Sequence, residues 1–237
     1  MPKEVAYDFA SLAILTIFLI TSHKTKAEDT SKLFDSKAVQ KIVKRGTLNV
    51  GVKQDVPNFG YYSAKTNTYE GMEVDLAKKI ADELKVKVNY IPVTTQTREP
   101  LMDNGTIDLL IATYTINDER KASYAISTPY YYDQIGFLVL KDSGINKISD
   151  LNGKTIGVSQ GASTKAALQE YASANNLKFN YVQLGSFPEL AVSLYAHRVD
   201  AFSVDKSILS GYESKKTKTL KEGFKTQEYG IASSKSN

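Results

Sequence analysis

The feature that most constrains the fold of this chain is a regular alternation of apolar strands and amphipathic helices. Residues 48–52 form a strand, and residues 107–112 form a continuous apolar run of the kind buried in parallel sheets. Between them, residues 72–84 carry apolar side chains at helical spacing, and residues 86–93 alternate as a strand does. A short helix from Gln96 is predicted to end at Asn104-Gly105. This order predicts right-handed crossovers and a parallel sheet with helices on both faces.

The same rhythm begins again in the second half of the chain. Strands are predicted over residues 154–158, 179–184 and 199–204, with helices over residues 163–174, 188–196 and 206–212. An extended segment, residues 134–141, lies between the two units and could cross from one to the other. The prediction is an α/β protein of two lobes, each a mostly parallel sheet flanked by helices. Ligands are expected beyond the carboxyl ends of the strands.

The cysteine and histidine content excludes several kinds of site. The chain has no cysteine and two histidines, His23 and His197, neither with a metal-ligand neighbour. Disulfides, cysteine nucleophiles and a structural zinc site are therefore not expected, and no cofactor is predicted. The net charge is +4, and the lysines are scattered among carboxylates. This pattern is typical of solvated helix faces rather than of a nucleic-acid-binding surface.

The N-terminus has the pattern of an export signal. Residues 9–20 form an apolar run too short to span a bilayer comfortably, and a polar stretch follows as far as Ala27. We predict a signal peptide over residues 1–27 and a periplasmic or extracellular location. The segment before the run has only Lys3 as a side-chain cation, which is an imperfect match. A buried core helix and an uncleaved anchor stay open as alternatives.

Polar residues follow several of the predicted strands, where a ligand would lie. Because the carboxyl ends of parallel strands meet at one edge of a sheet, these side chains could converge. The candidates after the strands are Lys53, Arg98, Thr113, Thr115, Arg120, Ser163, Thr164, Ser203 and Asp205.

Several motifs, taken together, resemble the type II periplasmic amino-acid-binding proteins of ABC importers. The matching segments are Thr113-x-Thr115-x-x-x-Glu119-Arg120, Ser127-x-Pro129-Tyr130-Tyr131, Leu151-x-Gly153-Lys154-x-Ile156-Gly157-Val158, Arg198-Val199-Asp200-Ala201 and Asp205. The resemblance is strongest to the members that bind aspartate and glutamate, through residues 51–57 and 200–209. Each motif alone is weak. Their order and spacing over residues 43–232 make the resemblance specific.

The resemblance implies a two-lobed periplasmic-binding-protein (type II) fold joined by two crossing segments. Lobe 1 is expected at residues 40–134 and 226–237, and lobe 2 at residues 135–225. Relatives continue past the last predicted strand with one or two helices, so we expect lobe 1 to be truncated at Asn237. The resemblance also implies a monomer that delivers its ligand to the membrane permease of an ABC importer.

Three residues suit the α-carboxylate that every amino acid carries. Arg120 offers a planar fork for bidentate binding, which a lysine cannot provide. Ser163 and Thr164 begin a predicted helix, whose amides and dipole favour an anion. The resemblance also implies that Thr115, in the same turn as Arg120, binds the ligand. The alternative for Arg120 is a surface ion pair with Glu119 or Asp118.

The α-ammonium has a different set of candidates. Asp205 can pair with it, assisted by the Thr113 carbonyl and the Ser203 hydroxyl. The alternative for Asp205 is an N-cap of the helix that follows, and capping could coexist with binding.

Lys53 and Arg98 are the residues that discriminate between ligands. Arg120 and Asp205 already neutralise a neutral amino acid, so two more cations in the cleft would lack a partner unless the ligand carried a side-chain carboxylate. Both positions contact the ligand side chain in the dicarboxylate binders that the chain resembles. The alternative is that each is a solvated surface cation.

Two aromatic residues complete the predicted site. Phe59 is expected against the aliphatic part of the ligand, with plain core packing as the alternative. Phe187 stands where some acidic-ligand members of the family have tyrosine, so one side-chain hydrogen bond is missing. The choice between aspartate and glutamate is therefore open.

Two other functions remain as alternatives to a binding protein. One is a dehydratase-like enzyme on the same scaffold, resembling the cyclohexadienyl type, which would need a general acid or base against its substrate. The other is the ligand-sensing domain of a larger receptor.

Overall fold

The structure is a computed structural model that describes residues 36–235. The predicted signal peptide lies outside the described residues, as do the last two residues of the predicted lobe 1. Within residues 36–235, none of the helices has the length and apolar character needed to cross a bilayer.

The first half of the chain builds a five-stranded sheet. Its elements are α1 (Lys37–Arg45), β1 (Thr47–Val52), α2 (Met72–Glu83), β5 (Lys87–Pro92), α3 (Arg98–Asp103), β6 (Leu109–Ile111), α4 (Asp118–Ser123) and β7 (Tyr124–Ile126). The strand order is β5-β1-β6-β14-β7, where β14 (Ala232–Ser234) comes from the end of the chain. Strands β5, β1 and β6 are parallel, which confirms the predicted β-α-β-α-β unit. Strand β14 is antiparallel to both neighbours.

The second half builds a six-stranded sheet. Its elements are β8 (Tyr131–Leu140), a 3₁₀ turn (Ile148–Leu151), β9 (Thr155–Ser159), α5 (Thr164–Ala174), β10 (Asn180–Leu184), α6 (Phe187–Tyr195), β11 (Ala201–Asp205), α7 (Lys206–Ser210), β12 (Thr217–Thr219) and β13 (Phe224–Tyr229). The predicted strands and helices are all present, with ends shifted by a few residues. Strands β10, β9 and β11 are parallel. Strand β8 is antiparallel to β11, β12 and β13, so each sheet has a parallel half and an antiparallel half.

A third, small sheet was not predicted from the sequence. It comprises β2 (Asp55–Val56), β3 (Gly60–Ser63) and β4 (Thr68–Glu70), all antiparallel. These strands have two to four residues, too short for hydrophobic periodicity to reveal them.

Two connections join the main sheets. The chain leaves the first sheet after Ile126 and enters the second at Tyr131, and it returns between Tyr229 and Ala232. The two long strands at this junction, β8 and β13, pair side by side, with Tyr131 opposite Tyr229. The structure therefore has two lobes linked by adjacent crossings. The lobe boundaries at residues 134/135 and 225/226 stay predictions.

The cores follow from the patterns that predicted the elements. In lobe 1, Leu48, Val50 and Val52 of β1 pack against Ala77 and Ile80 of α2. In lobe 2, separate apolar clusters lie on the two faces of the sheet, as expected for a sheet covered by helices on both faces. One cluster also includes Val56 and Phe59 of lobe 1, so apolar packing continues across the cleft.

Candidate functional site

A small, half-open cavity lies between the lobes at the ends of the parallel strands. Its volume is about 20 Å³, enough for about one or two water molecules. Its walls comprise Thr95, Arg98, Thr113 and Thr115 of lobe 1, and Ala162, Ser163, Thr164, Phe187, Val204, Asp205 and Ile208 of lobe 2. The strand-end residues from the two halves of the chain therefore do converge.

A larger cavity of about 340 Å³ adjoins it. Its walls include Glu99, Glu119 and Arg120 of lobe 1 and Ala166 of lobe 2. Ala162 and Ser163 line both cavities, so the two cavities lie side by side at the start of α5.

Arg98 is a buried guanidinium that has no anionic partner among the described residues. The residue is 2% exposed, and its Nη1 donates to the Ala112 carbonyl at 3.1 Å. Its Nε is buried with no hydrogen-bond partner in the described part of the chain, where Arg98 also forms no ion pair. Burial, reinforced by the positive charge of Arg120, lowers the pKa of Arg98 to about 9. The interpretation of Arg98 as a solvated surface cation is therefore wrong.

Lys53 is equally buried, at 1% exposure, but it is already paired. Its Nζ lies 3.0 Å from Asp55 Oδ1 and 4.7 Å from the centroid of the Phe187 ring. Burial lowers the pKa of Lys53, and the Asp55 carboxylate partly offsets this. Lys53 is therefore not a surface cation either. It lies behind Phe187 and does not line the cavity.

Arg120 is buried and does not form the surface ion pair that was the alternative. It forms an ion pair with Glu99 (Nε to Oε1, 3.2 Å), and its Nη1 donates to the Thr115 carbonyl at 2.8 Å. Its guanidinium carbon lies 4.1 Å from the centroid of the Tyr114 ring. These contacts leave Nη2 without a hydrogen-bond partner among residues 36–235. Arg120 lines the larger cavity rather than the smaller one.

Asp205 lies at the end of β11 and accepts a hydrogen bond from the Tyr229 hydroxyl. Its side chain makes no capping hydrogen bond to α7, although the residue occupies the N-cap position. Burial raises the pKa of Asp205 to about 7, against the lowering effect of the Tyr229 hydrogen bond. Asp133 raises the pKa further, whereas Arg98 and Arg120 lower it. A cationic group in the cavity would favour the ionised carboxylate.

Glu73 is a second buried carboxylate, and it was not among the site residues predicted from the sequence. Its Oε1 accepts the Thr113 amide at 2.6 Å and the Tyr130 hydroxyl. Its Oε2 has no hydrogen-bond partner within the described residues. Burial raises its pKa to about 7, although Lys53 and Arg98 act to lower it. The helical spacing that places Ala77, one turn later, on the buried face also places Glu73 there, and this signal could have found it.

The other predicted residues divide into two groups. Thr113, Thr115, Ser163, Thr164 and Phe187 line the small cavity, as do Arg98 and Asp205. Ser203 does not, because its hydroxyl is fully buried and donates to the Gly136 carbonyl at 2.8 Å.

Phe59 also lies away from the small cavity. It packs in a core cluster, edge-on to the Tyr131 and Tyr229 rings at 5.0 and 6.0 Å. This arrangement matches the alternative of plain core packing.

The N-terminus of α5 adds a partial positive charge to the site, besides the cationic side chains. Ser163 occupies the N-cap position and makes no side-chain capping bond, and the first turn has no acidic residue. The helix has 11 residues, enough for its N-terminal amides and dipole to attract an anion.

Comparison with known proteins supports this description. Residues 48–222 match the family described as bacterial extracellular solute-binding proteins, family 3. The chain is 32% identical to a glutamine-binding protein of Geobacillus stearothermophilus, over 98% of this chain and 94% of that protein. It is 28% identical to the ABC transporter glutamine-binding protein GlnH of Bacillus subtilis, over 95% and 84% of the two chains.

A solved structure has the same fold. The arginine-bound form of truncated ArgBP from T. maritima superposes with a TM-score of 0.75 and 29% identity, covering 83% of this chain and 92% of that one. These relatives are binding proteins rather than enzymes, and members of the family act in the periplasm or outside the cell. The chain belongs to the bacterial extracellular solute-binding proteins of family 3, among the amino-acid-binding proteins of ABC transporters.

Proposed function

We propose that this protein captures an acidic amino acid, aspartate or glutamate, by lobe closure and delivers it to the membrane permease of an ABC importer. In this proposal it acts as an exported monomer and binds its ligand without turnover.

The observation that supports an acidic ligand is the unpaired Arg98 guanidinium at the small cavity. A buried cation without a counter-ion is expensive, and an ion pair with good hydrogen bonds repays much of that cost. The Nε of Arg98 is free to donate, and Asp55 already neutralises Lys53. Arg98 is therefore the proposed primary contact of the ligand's side-chain carboxylate, with Lys53 contributing its charge from behind Phe187.

The α-groups of the ligand are assigned to the remaining charged residues. The ammonium is placed against Asp205, where it would stabilise the ionised carboxylate. The α-carboxylate is placed between Arg120 and the N-terminus of α5, because both carry unsatisfied N–H donors. The ligand would thus touch Arg98 and Arg120 of lobe 1 and Asp205 and Ser163 of lobe 2. Only a closed form satisfies all of them.

Calorimetry against a panel of amino acids tests the ligand class. The panel contains glutamate, aspartate, glutamine, asparagine and arginine. Glutamine and arginine are included because the relatives described above are named as binding proteins for them. We expect a one-to-one complex with glutamate or aspartate that is about 30-fold or more tighter than with the matching amide. Equal affinity for glutamate and glutamine would contradict the acidic preference and leave the binding function intact.

X-ray scattering tests the mechanism. A ligand that binds both lobes shifts the open–closed equilibrium by its differential affinity for the closed form. Saturating ligand should therefore reduce the radius of gyration and raise the melting temperature. An unchanged radius together with tight binding would argue against delivery by lobe closure.

A further inference from the structure

One hydroxyl group joins the two lobes directly at the wall of the cavity. Thr95 follows β5 in lobe 1, and its Oγ1 lies 2.7 Å from Ser159 Oγ and 2.7 Å from the Gln160 carbonyl oxygen of lobe 2. Thr95 and Ser159 are both buried, at 5% and 4% exposure. Thr95 belongs to the polar segment that follows this strand, but it was not among the residues predicted to bind the ligand.

The direction of these hydrogen bonds follows from the chemistry. The Gln160 carbonyl can only accept, so the single hydroxyl proton of Thr95 is donated there. Ser159 must then donate its own proton to Thr95. The hydroxyl of Thr95 therefore has no donor left for a ligand.

The backbone permits this close approach at one glycine. Gly161 has φ +77°, and a Cβ built there would lie 2.7 Å from the Thr95 carbonyl oxygen. Real Cβ atoms do not approach backbone that closely, so a side chain at this position would hold the lobes apart. Gly161 lies immediately after Gln160, which places the close approach and the hydroxyl pair at the same point of contact.

We infer that Thr95 is a positioning residue that acts through lobe closure: its hydroxyl holds the lobes together and sets how long a bound amino acid stays. This inference rests on the proposed mechanism of lobe closure. Opening of the cleft would separate Thr95 from Ser159 and Gln160, and water would then replace these contacts. Because the bonds run between lobes and not to the ligand, the effect on dissociation is the same for every amino acid that the site accepts.

The test compares dissociation rates of matched variants. Thr95→Val keeps the shape and leaves the Ser159 hydroxyl and Gln160 carbonyl without partners in the closed form, so dissociation should quicken at least about tenfold. Thr95→Ser keeps the hydroxyl and should behave like the unmodified protein. Thr97→Val is the control, because among residues 36–235 the Thr97 hydroxyl bonds only to Thr94 in the same loop.

Stopped-flow fluorescence of the 15 tyrosines can follow dissociation, with glutamate and glutamine as separate probes. The Thr95→Val factor should be equal for the two probes, whichever binds more tightly. The double variant Thr95→Val/Ser159→Ala should dissociate no faster than Thr95→Val, because it removes the orphaned hydroxyl. Unchanged dissociation in Thr95→Val, or full additivity in the double variant, would overturn the inference.

Fluorescence energy transfer between the lobes provides a second test that needs no ligand. The chain has no cysteine, so one cysteine can be introduced in each lobe, at the exposed positions Lys121 and Gln169, and the two can be labelled with a donor and an acceptor. Both positions lie on helices that flank the larger cavity. Energy transfer then reports the closed fraction, which Thr95→Val should lower and Thr95→Ser should preserve. An equal closed fraction in both variants counts against the inference. Failure of the acidic preference appears instead in calorimetry of the unmodified protein, so the two ideas fail separately.

Discussion

Replacing Arg98 by methionine should have opposite effects on stability and on binding. Burial lowers the pKa of Arg98 from its ordinary value to about 9, which corresponds to a loss of stability of roughly 5 kcal/mol at 1.36 kcal/mol for each pKa unit. The substitution also orphans the Ala112 carbonyl, at about 2 kcal/mol, and removes the contact with the Tyr114 ring, at about 1 kcal/mol. The free energy of unfolding of the ligand-free protein should therefore rise by about 2 kcal/mol, which is within the range found when buried ions are replaced by apolar residues.

The same substitution should weaken the binding of glutamate by about 2–5 kcal/mol, or about 30-fold to several-thousand-fold, because the side-chain carboxylate of the ligand loses its cationic partner. Glutamine should lose much less, so the preference for the acid should collapse. Differential scanning calorimetry of the ligand-free protein should show a melting temperature higher by roughly 5 °C. Titration calorimetry with both ligands measures the change in preference.

The control for Arg98→Met is Arg198→Met, which removes an exposed arginine of lobe 2. It should change neither stability nor affinity appreciably. The reasoning would be refuted if Arg98→Met lowered the melting temperature and weakened glutamate and glutamine equally. That outcome would make Arg98 a structural residue of lobe 1.

Three further predictions concern the carboxylates and the close contact between the lobes. The ligand ammonium favours the ionised form of Asp205, whose pKa is raised to about 7, so binding should release protons and the affinity should fall as the pH drops below about 7. Calorimetry in buffers of different ionisation enthalpy measures the proton release. An affinity that does not change between pH 5 and 7 would contradict this prediction. The raised pKa values of Asp205 and Glu73 mean that the ligand-free native state binds more protons than the unfolded state between about pH 4 and 7. The free energy of unfolding, measured with urea, should therefore fall as the pH rises through about 7. Asp205→Asn should flatten this pH profile and weaken the binding of every amino acid alike. Gly161→Ala should raise the radius of gyration of the liganded protein and weaken the binding of all ligands at least about tenfold. Gly153→Ala is the control, because Gly153 has a similar φ but open space for a Cβ, and it should affect stability only. Equal binding by the two variants would count against a role for the close approach at Gly161.

The sequence was sufficient to predict the elements that depend on local pattern. The 3.6-residue spacing of Ala77, Ile80 and Ala81 and the apolar run at residues 107–112 predicted α2 and β6. The β-α-β order then fixed the parallel halves of both sheets, because right-handed crossovers leave few alternatives. Strand ends are where such sheets bind ligands, so Arg98, Thr113, Ser163 and Asp205 could be named as candidates before any contact was known.

The two α/β units, the edge at which the site lies and the chemistry available there were therefore predictable from local patterns. Which of those side chains face the cavity, and which already have hydrogen-bond or ionic partners, depended on how the segments pack. Ser203 bonds to Gly136, Lys53 pairs with Asp55, Asp205 accepts from Tyr229, and Thr95 meets Ser159. Apart from the Lys53–Asp55 pair, these partners are 24 to 67 residues apart in the chain. Hydrophobic periodicity is a local property, whereas the pairing of a buried polar group depends on every segment that packs around it, and so it is decided only when the lobes are folded and in contact.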